Sequence, residues 1–111
     1  MIELIVKDFL QRKLPQKIYM EYPEKPPKRF FLLRRSGQGR EDMLETSTLF
    51  LDAYGETLLE TAKLNEAGKA AMDDLTELDE VTSSQRSGDY PIEDVQNKRY
   101  RYQAVQTITH Y

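Results

Sequence analysis

The chain contains no cysteine, and this absence excludes several kinds of chemistry. Disulfide frameworks, thiol nucleophiles and thiolate metal sites all need that residue. Long apolar runs are lacking as well, because the longest, at positions 4–6 and 30–33, are far too short to span a bilayer. Charged residues also interrupt the apolar stretch at the start of the chain. We therefore expect no export signal and a soluble, cytoplasmic protein.

An excess of positive charge is also lacking. The chain has 16 lysine and arginine residues against 19 aspartate and glutamate residues, and its net charge is -3. This balance disfavours a globally basic surface that wraps nucleic acid, and we expect no sequence-specific nucleic-acid binding. Hydrophobic residues, at 39% of the 111 residues, come in periodic groups. The length and this patterning predict a single domain over 1–111.

Apolar periodicity predicts two helices. In residues 2–14 apolar side chains recur at intervals of three and four, and Pro15 ends the helix. A second, longer helix is predicted for 56–75, where Gly68 weakens the middle by about 1 kcal/mol relative to alanine. The order of helices and strands then decides the fold class.

Alternating patterns predict five strands. Gly and polar residues predict loops or mobile tips at 36–42 and 87–97. The class is α+β, with a single mostly antiparallel sheet of about five strands and two helices in the order α-β-β-β-α-β-β. The predicted strands are 17–22, 29–35, 44–54, 79–86 and 98–109.

The strand at 29–35 has apolar residues on both faces. Phe30 and Leu32 share one face, and Phe31 and Leu33 share the other. This pattern predicts cover on both sides, by a helix or by another subunit. The predicted core comprises Ile5, Phe9, Phe30, Leu32, Leu49, Leu51, Leu58, Ala62, Tyr102 and Ala104.

The residues that could carry catalysis are few. His110 is the only histidine, and its place near the end of the chain predicts a frayed surface residue and not a general base. Acidic pairs at 41–42, 73–74 and 79–80 match no metal-ligand spacing, so we favour plain solvation. The sequence 37–39 lacks the later glycine and the lysine of a phosphate loop. We expect no enzyme, no metal and no cofactor.

Tyr100 and Tyr102, flanked by Arg99 and Arg101, have the composition of a platform on which nucleic-acid bases stack. The alternative is a strand whose tyrosines pack on the core. Because the alternation continues to Ile108, the pattern favours the packed strand.

Charge is segregated along the chain. Positions 25–40 hold six basic residues and no acid, whereas 56–80 holds eight acids and two lysines. These segments could simply be two solvated faces. In the functional interpretation, a head-to-tail contact between identical subunits matches one to the other, and such contacts close into rings when the rotation permits.

The hypothetical subunit interface follows from this segregation. Arg34, Arg35 and Arg40 would meet the acidic helix of the next subunit. Apolar area would come from the second face of the strand, at Phe31 and Leu33. The acidic partners would be Glu60, Glu66 and Asp73.

Three segments together with the opening helix resemble small tail-module proteins of tailed phages and prophages of Gram-positive bacteria: 18–27 (IYMEYPEKPP), 62–66 (AKLNE) and 98–105 (KRYRYQAV). The size and element order are similar in architecture to the tail terminator of phage lambda. This resemblance implies a minor tail protein that forms a hexameric ring on the tail-tube protein, stops tube growth and joins the tail to the head-connector proteins. It implies the host cytoplasm during assembly and then the virion. The family has no catalytic residues to carry over.

Two other functions stay open. A head-completion or stopper protein also forms rings, although such folds tend toward small β-barrels or helical bundles. A small cytoplasmic α+β dimer that regulates or binds a ligand would need a concave pocket with a few convergent polar groups.

Overall fold

The computed structural model describes residues 2–41, 43–94 and 99–111. Both helices and all five strands follow the predicted order, and the α+β class is confirmed. The elements are α1 (Ile2–Lys13), β1 (Ile18–Tyr19), β2 (Phe30–Glu41), β3 (Leu44–Gly55), α2 (Leu58–Asp73), a 3-10 turn (Asp74–Glu77), β4 (Val81–Asp94) and β5 (Arg99–His110).

The five strands form one sheet in the order β1-β2-β3-β5-β4. Among the strands of the described residues, only the short β1 runs parallel to its neighbour, and it pairs with β2 at Phe31 and Leu32 alone. The other three pairs are antiparallel. Strand β5 therefore lies between β3 and β4. One edge of the sheet is formed by β2 together with the short β1, and the other edge is formed by β4.

Strands β2 and β4 are longer than the sequence predicts. The predicted loops at 36–42 and 87–97 are wrong for their described residues, because β2 continues to Glu41 and β4 continues to Asp94. Register shifts between Ser36 and Gln38 and between Arg86 and Gly88 absorb the irregular residues. Long neighbouring strands hold such segments in the ladder, and an edge strand tolerates proline. Asp42 and residues 95–97 lie outside the described residues.

Both helices cover one face of the sheet and build the main core there. Gly68 is the point of closest approach, since a Cβ at this position would lie 3.0 Å from side-chain atoms of both Leu51 and Phe31. The buried residues of this core are Ile2, Val6, Phe9, Leu10, Leu14, Ile18, Phe31, Leu33, Leu49, Leu51, Ala53, Leu64, Ala71, Met72, Leu75, Val81 and Ile108.

The opposite face of β2 is covered by the proline-containing connector that precedes it. Phe30, Leu32 and Tyr54 form a second buried cluster. The ring of Tyr22 packs edge-on against Phe30 at 5.7 Å and against Tyr54 at 5.6 Å between ring centroids. The prediction that both faces of this strand are covered holds within one subunit, without a partner.

Helix α2 begins later than the sequence predicts. The side chain of Thr57 accepts a hydrogen bond from the backbone N–H of Glu60, and the Glu60 carboxylate accepts one from the N–H of Glu56. The helix meets the sheet at Thr61, which is fully buried. Leu58, one turn earlier, is 53% exposed, so its placement in the predicted core is wrong. Ile5, Ala62 and Tyr102 are half-buried, and the remaining predicted core residues are buried.

Candidate subunit interface

Asp52 organises the face of the sheet opposite the two helices. Its carboxylate has no exposed surface, yet it accepts hydrogen bonds from Arg34 at 3.1 Å and Arg101 at 2.8 Å, and from the Gln103 amide at 3.0 Å. The Tyr90 hydroxyl donates to Gln103 at 2.8 Å. One polar row thus joins β2, β3, β5 and β4. Its sequence signal was an aspartate within the apolar strand segment 49–54, which needs a charged partner when buried.

The other predicted basic residues point elsewhere. The Arg35 guanidinium lies 3.4 Å from a carboxylate oxygen of Glu3 on α1, which places it on the helix-covered face. The side chain of Arg40 lies outside the described part of the structure. Arg34 and Arg35 therefore flank β2 on opposite faces, and each already has an acidic partner within the subunit.

The predicted acidic partners are also paired inside the subunit. Glu60 forms an ion pair with Arg29 at 2.7 Å, which links the basic segment to the acidic helix within one chain. Glu66 pairs with Lys69 at 2.7 Å, and Asp73 pairs with Arg86 at 2.5 Å. Ion pairs within one subunit thus neutralise part of the charge that is segregated along the sequence.

Phe31 and Leu33 are unavailable to a neighbouring subunit. Their exposed fractions are 0% and 1%, because both side chains lie beneath the helices in the main core. The expectation that they supply apolar interface area is wrong. The period-two pattern identified their shared face, but the helices of the same subunit already occupy it.

Some charges remain free of ion pairs within the described residues. Asp79 and Glu80 are exposed just before β4, and Lys25 and Lys28 are exposed just before β2. Because β2 and β4 lie on opposite sides of the sheet and begin at opposite ends of it, these charges lie at diagonally opposite corners of the sheet. The connector that holds the two lysines also holds the exposed acids Glu21 and Glu24. Helix α2 packs on β3 and β5, and the 3-10 turn packs on β4, so the acidic segment leans toward the β4 flank.

Lys69 and Asp89 fasten α2 to β4. The Lys69 ammonium donates to the Asp89 carboxylate, and the Asn65 amide donates to the same group at 2.7 Å. The hydrogen bond to Asp89 is the main cause of a raised pKa for Lys69. Burial alone raises the pKa of Asp89, but hydrogen bonds from Lys69 and Asn65 outweigh it, so the net pKa is lowered. Both shifts favour the charged pair.

His110 is buried, contrary to the expectation of a frayed surface residue. Its exposed fraction is 1%, because β5 carries it into the ladder opposite Glu45. Its Nε2 lies 2.8 Å from the Ser47 hydroxyl, and its Nδ1 lies 3.1 Å from the carbonyl oxygen of Tyr111. Ser47 is fully buried, so a substrate would have no path to its oxygen. The hydrogen bond between Ser47 and His110 therefore joins β3 to β5.

The two tyrosines of the possible nucleic-acid platform do not act together with the neighbouring arginines. The registers place Tyr102 opposite Ala53, on the helix-covered face, while Arg101 binds Asp52 on the other face. Tyr100 is 49% exposed at the end of the sheet. The alternation places Tyr100 and Tyr102 on the face opposite Arg99 and Arg101, so these four side chains form no common stacking surface. The two arginines lie instead over the rings of Phe30 and Tyr54, at 5.5 and 5.7 Å from the ring centroids.

The acidic side chains of the described residues do not gather into a metal site. Within residues 2–41, 43–94 and 99–111, no three histidine, cysteine or acidic side chains converge in a metal-ligating group. Of the predicted acidic pairs, Asp73 binds Arg86 and Asp74 faces Lys13 at 3.8 Å, so neighbouring carboxylates are directed to different cations. The pair at 41–42 falls partly outside the described residues.

A groove of about 480 Å³ lies between the end of α1 and the first half of α2. Its walls combine apolar surface from Pro15 and Leu59 with polar groups from Glu60 and Lys63. Leu59 is 68% exposed, so the groove is open on one side. Arg29 also lines it, but its guanidinium is held by Glu60.

Comparison of the chain with models of protein families and with curated protein sequences gives no match. In the described part of the chain, no helix combines the length and the apolar character needed to cross a membrane.

Proposed function

We propose that the protein is a structural component of a phage or prophage tail, of the tail-terminator type. In this role it forms a hexameric ring on the last ring of tail-tube protein, ends tube growth and meets the head-connector proteins. The ring assembles in the host cytoplasm and stays in the neck of the virion. No catalytic step is part of this function.

One observation carries the proposal: the two edges of one sheet differ in charge. The part of β2 from Leu33 to Glu41 carries three arginines and one glutamate, and β4 on the other side carries one arginine and three acids. Copies joined head to tail bring these two edges together at every contact, so that opposite charges meet. The α+β order also supports a terminator over a stopper, since stoppers tend toward barrels or helical bundles.

Tube growth tests this function directly. Tail-tube protein encoded beside the chain is polymerised with and without it, and tube lengths are measured by electron microscopy. We expect capped, shorter tubes with a ring at one end, and native mass spectrometry of the tube-bound fraction should give a closed oligomer. Tubes of unchanged length and without terminal rings would contradict the proposal.

The groove between α1 and α2 favours a second candidate, a small ligand-binding or regulatory α+β dimer. Its volume lies within the usual range for small-molecule sites, and Lys63 lines it without an ion pair in the described residues. Native mass spectrometry separates the two functions, because a dimer that retains a small molecule differs from a ring. Lys63→Ala should then weaken ligand binding while leaving the fold intact.

A further inference from the structure

The sheet has two long backbone edges with no strand beside them in the described residues. On β2, β1 pairs only at Phe31 and Leu32, so the edge from Leu33 to Glu41 is uncovered. On the other side, β4 pairs with β5 alone along Val81–Asp94. Unpaired backbone N–H and C=O groups on such edges are ready to accept another strand.

We propose that β4 of one copy pairs with the uncovered edge of β2 in the next copy, so that one sheet continues from subunit to subunit. This inference rests on the proposed function, because it names the contact by which the ring forms. The strand order fixes the direction: β2 and β4 run antiparallel within one sheet, so a head-to-tail repeat makes an antiparallel β4–β2 pair.

Side-chain faces restrict the register, because only shifts by an even number of residues keep them matched. Arg35 and Asp89 both lie on the helix-covered face, as their contacts with Glu3 and Lys69 show. Setting these two opposite each other also sets Arg34 opposite Tyr90, both on the open face. A shift of one residue would put Arg35 and Asp89 on different faces.

The same register aligns the irregular parts of the two strands. The register shift of β2 falls between Ser36 and Gln38, and that of β4 falls between Arg86 and Gly88. With Arg35 opposite Asp89, the two shifted segments lie opposite each other. A bulge that bends one edge away from a regular strand is therefore matched by a bulge in the strand that approaches it.

Charges along the two edges are complementary. The uncovered part of β2 carries three arginines and one glutamate, while β4 carries one arginine and three acids. In the selected register Arg35 would extend the Lys69–Asp89 pair into an alternating row that ends at Glu3. Pro91 lies opposite Leu33, at the end where β1 begins to cover β2, so its missing N–H interrupts no central part of the contact.

We assign a second copy of the chain to the β2 edge because its β4 matches this edge in strand direction, in side-chain faces, in the position of the bulge and in charge. An unrelated acidic peptide would satisfy the charge alone. The absence of cysteine in the natural chain makes the register directly measurable. Gly39 and Gln85 are opposite each other in this register and share the open face, as their pairing with Thr46 and Thr107 shows.

Oxidative cross-linking of the variant Gly39→Cys with Gln85→Cys tests the inference. A Cβ at Gly39 would meet nothing within 4 Å, and Gln85 is exposed, so both changes leave the fold intact. Within one subunit β2 and β4 are three strand spacings apart, roughly 14 Å, which exceeds disulfide reach. Any disulfide therefore joins two copies.

We expect a ladder of covalent oligomers on non-reducing gels, and dimers only when the two single variants are mixed. The matched control is Gly39→Cys with Thr82→Cys, three residues away and roughly 10 Å along the strand. The designed pair should give at least about tenfold more cross-linked product than this control, because only it holds the thiols at high effective concentration.

Four results would overturn the β4–β2 contact. Equal cross-linking in the control would indicate random collision, and dimers from Gly39→Cys alone would indicate a two-fold contact. Monomers that give no cross-link at the highest soluble concentration would contradict the pairing. A ring in native mass spectra without designed cross-links would overturn this contact but leave the proposed function in place, whereas uncapped tubes would remove the function itself.

Discussion

Asp52 is held by two arginines that differ in burial. This difference predicts which of the two contributes more to the stability of the fold. The Arg101 side chain is 19% exposed and bonds at 2.8 Å, while Arg34 is 46% exposed and bonds at 3.1 Å. Arg101→Met should lower the free energy of unfolding by about 2 to 3 kcal/mol. Arg34→Met should cost less, because solvent already screens that pair. Urea unfolding measures both, and the reverse order would contradict the assigned roles.

The same contact changes how charge reversal must be interpreted. Replacing Arg34 by glutamate would place a second carboxylate beside the buried Asp52, so the variant would destabilise the monomer as well as any assembly. The segregation of charge along the sequence predicted Arg34 only as a basic residue of the subunit interface. It gave no sign of this internal partner, because the pairing depends on the register of β2 against β3.

The Lys69–Asp89 pair predicts a defined pH dependence. The pKa of Asp89 is lowered from 3.8, so its stabilising contribution is complete above that pH and is lost as pH falls through the lowered pKa. The pKa of Lys69 is raised from 10.5, so its contribution is lost only as pH rises above that value.

Asp89→Asn should therefore be less stable than the natural chain at pH 7, with the difference narrowing below about pH 4. Thermal unfolding between about pH 7 and 2 measures this convergence. Asp8→Asn, at an exposed position on α1 without an ion pair in the described residues, is the control. A constant difference at all pH values would show that Asp89 acts through packing and not through charge.

Met43 occupies the turn between β2 and β3 with a backbone φ of 68° and an exposed fraction of 81%. A side chain in this left-handed region costs about 1 to 2 kcal/mol, and glycine avoids that cost but gains freedom in the unfolded chain. Met43→Gly should stabilise the protein by about 0.5 to 1 kcal/mol. Met43→Ala should change little. Destabilisation by glycine in urea unfolding would count against the strained turn.

At the scale of elements, Gly68 is a requirement of packing and not a weak point in a helix. The sequence indicates only its cost to α2, since the approach of Leu51 and Phe31 arises from tertiary structure. Gly68→Leu should destabilise the protein by about 1 to 3 kcal/mol despite better helix propensity, because the core is already filled. Lys63→Leu, on the exposed side of the same helix, is the control. Comparable stability of both variants would contradict the close packing.

Helix and strand order were predictable because each element carries its own period. Helix α1 ends before Pro15, and β3 alternates buried and half-buried residues from Ser47 to Leu51. The continuation of β2 and β4 through glycine and polar segments was not predictable, because long-range pairing holds those residues in the sheet. The site divides in the same way: the segregated charges are visible in the sequence, but the burial of Phe31 and Leu33 depends on which face the helices take.

For the whole molecule, the charged flanks predict salt-sensitive assembly. Asp79→Lys with Glu80→Lys places positive charge beside the acid-rich β4 edge and should weaken ring formation. The subunit should stay folded, since both side chains are exposed and lack ion pairs within the described residues. Exposed charges are screened beyond about 10 Å at 0.1 M salt, so assembly of the natural chain should also weaken as salt rises. Native mass spectrometry and sedimentation measure both effects.

A variant with the same change in net charge provides the control. Asp8→Lys with Glu56→Lys reverses two exposed acids away from the β4 flank. It should assemble nearly as the natural chain does. Equal loss of assembly in both variants would indicate a general effect of net charge and not of the acidic flank.

The position of β5 between β3 and β4 has a consequence for synthesis on the ribosome. Of the five strands β5 is made last, yet it supplies the neighbour that both β3 and β4 need. Until it leaves the exit tunnel, β4 has no partner strand and β3 is paired on one side only, with β2, so both keep an open edge that chaperones or other nascent chains can contact. Folding therefore finishes only after translation has passed residue 110, and its rate is limited by pairings distant in sequence.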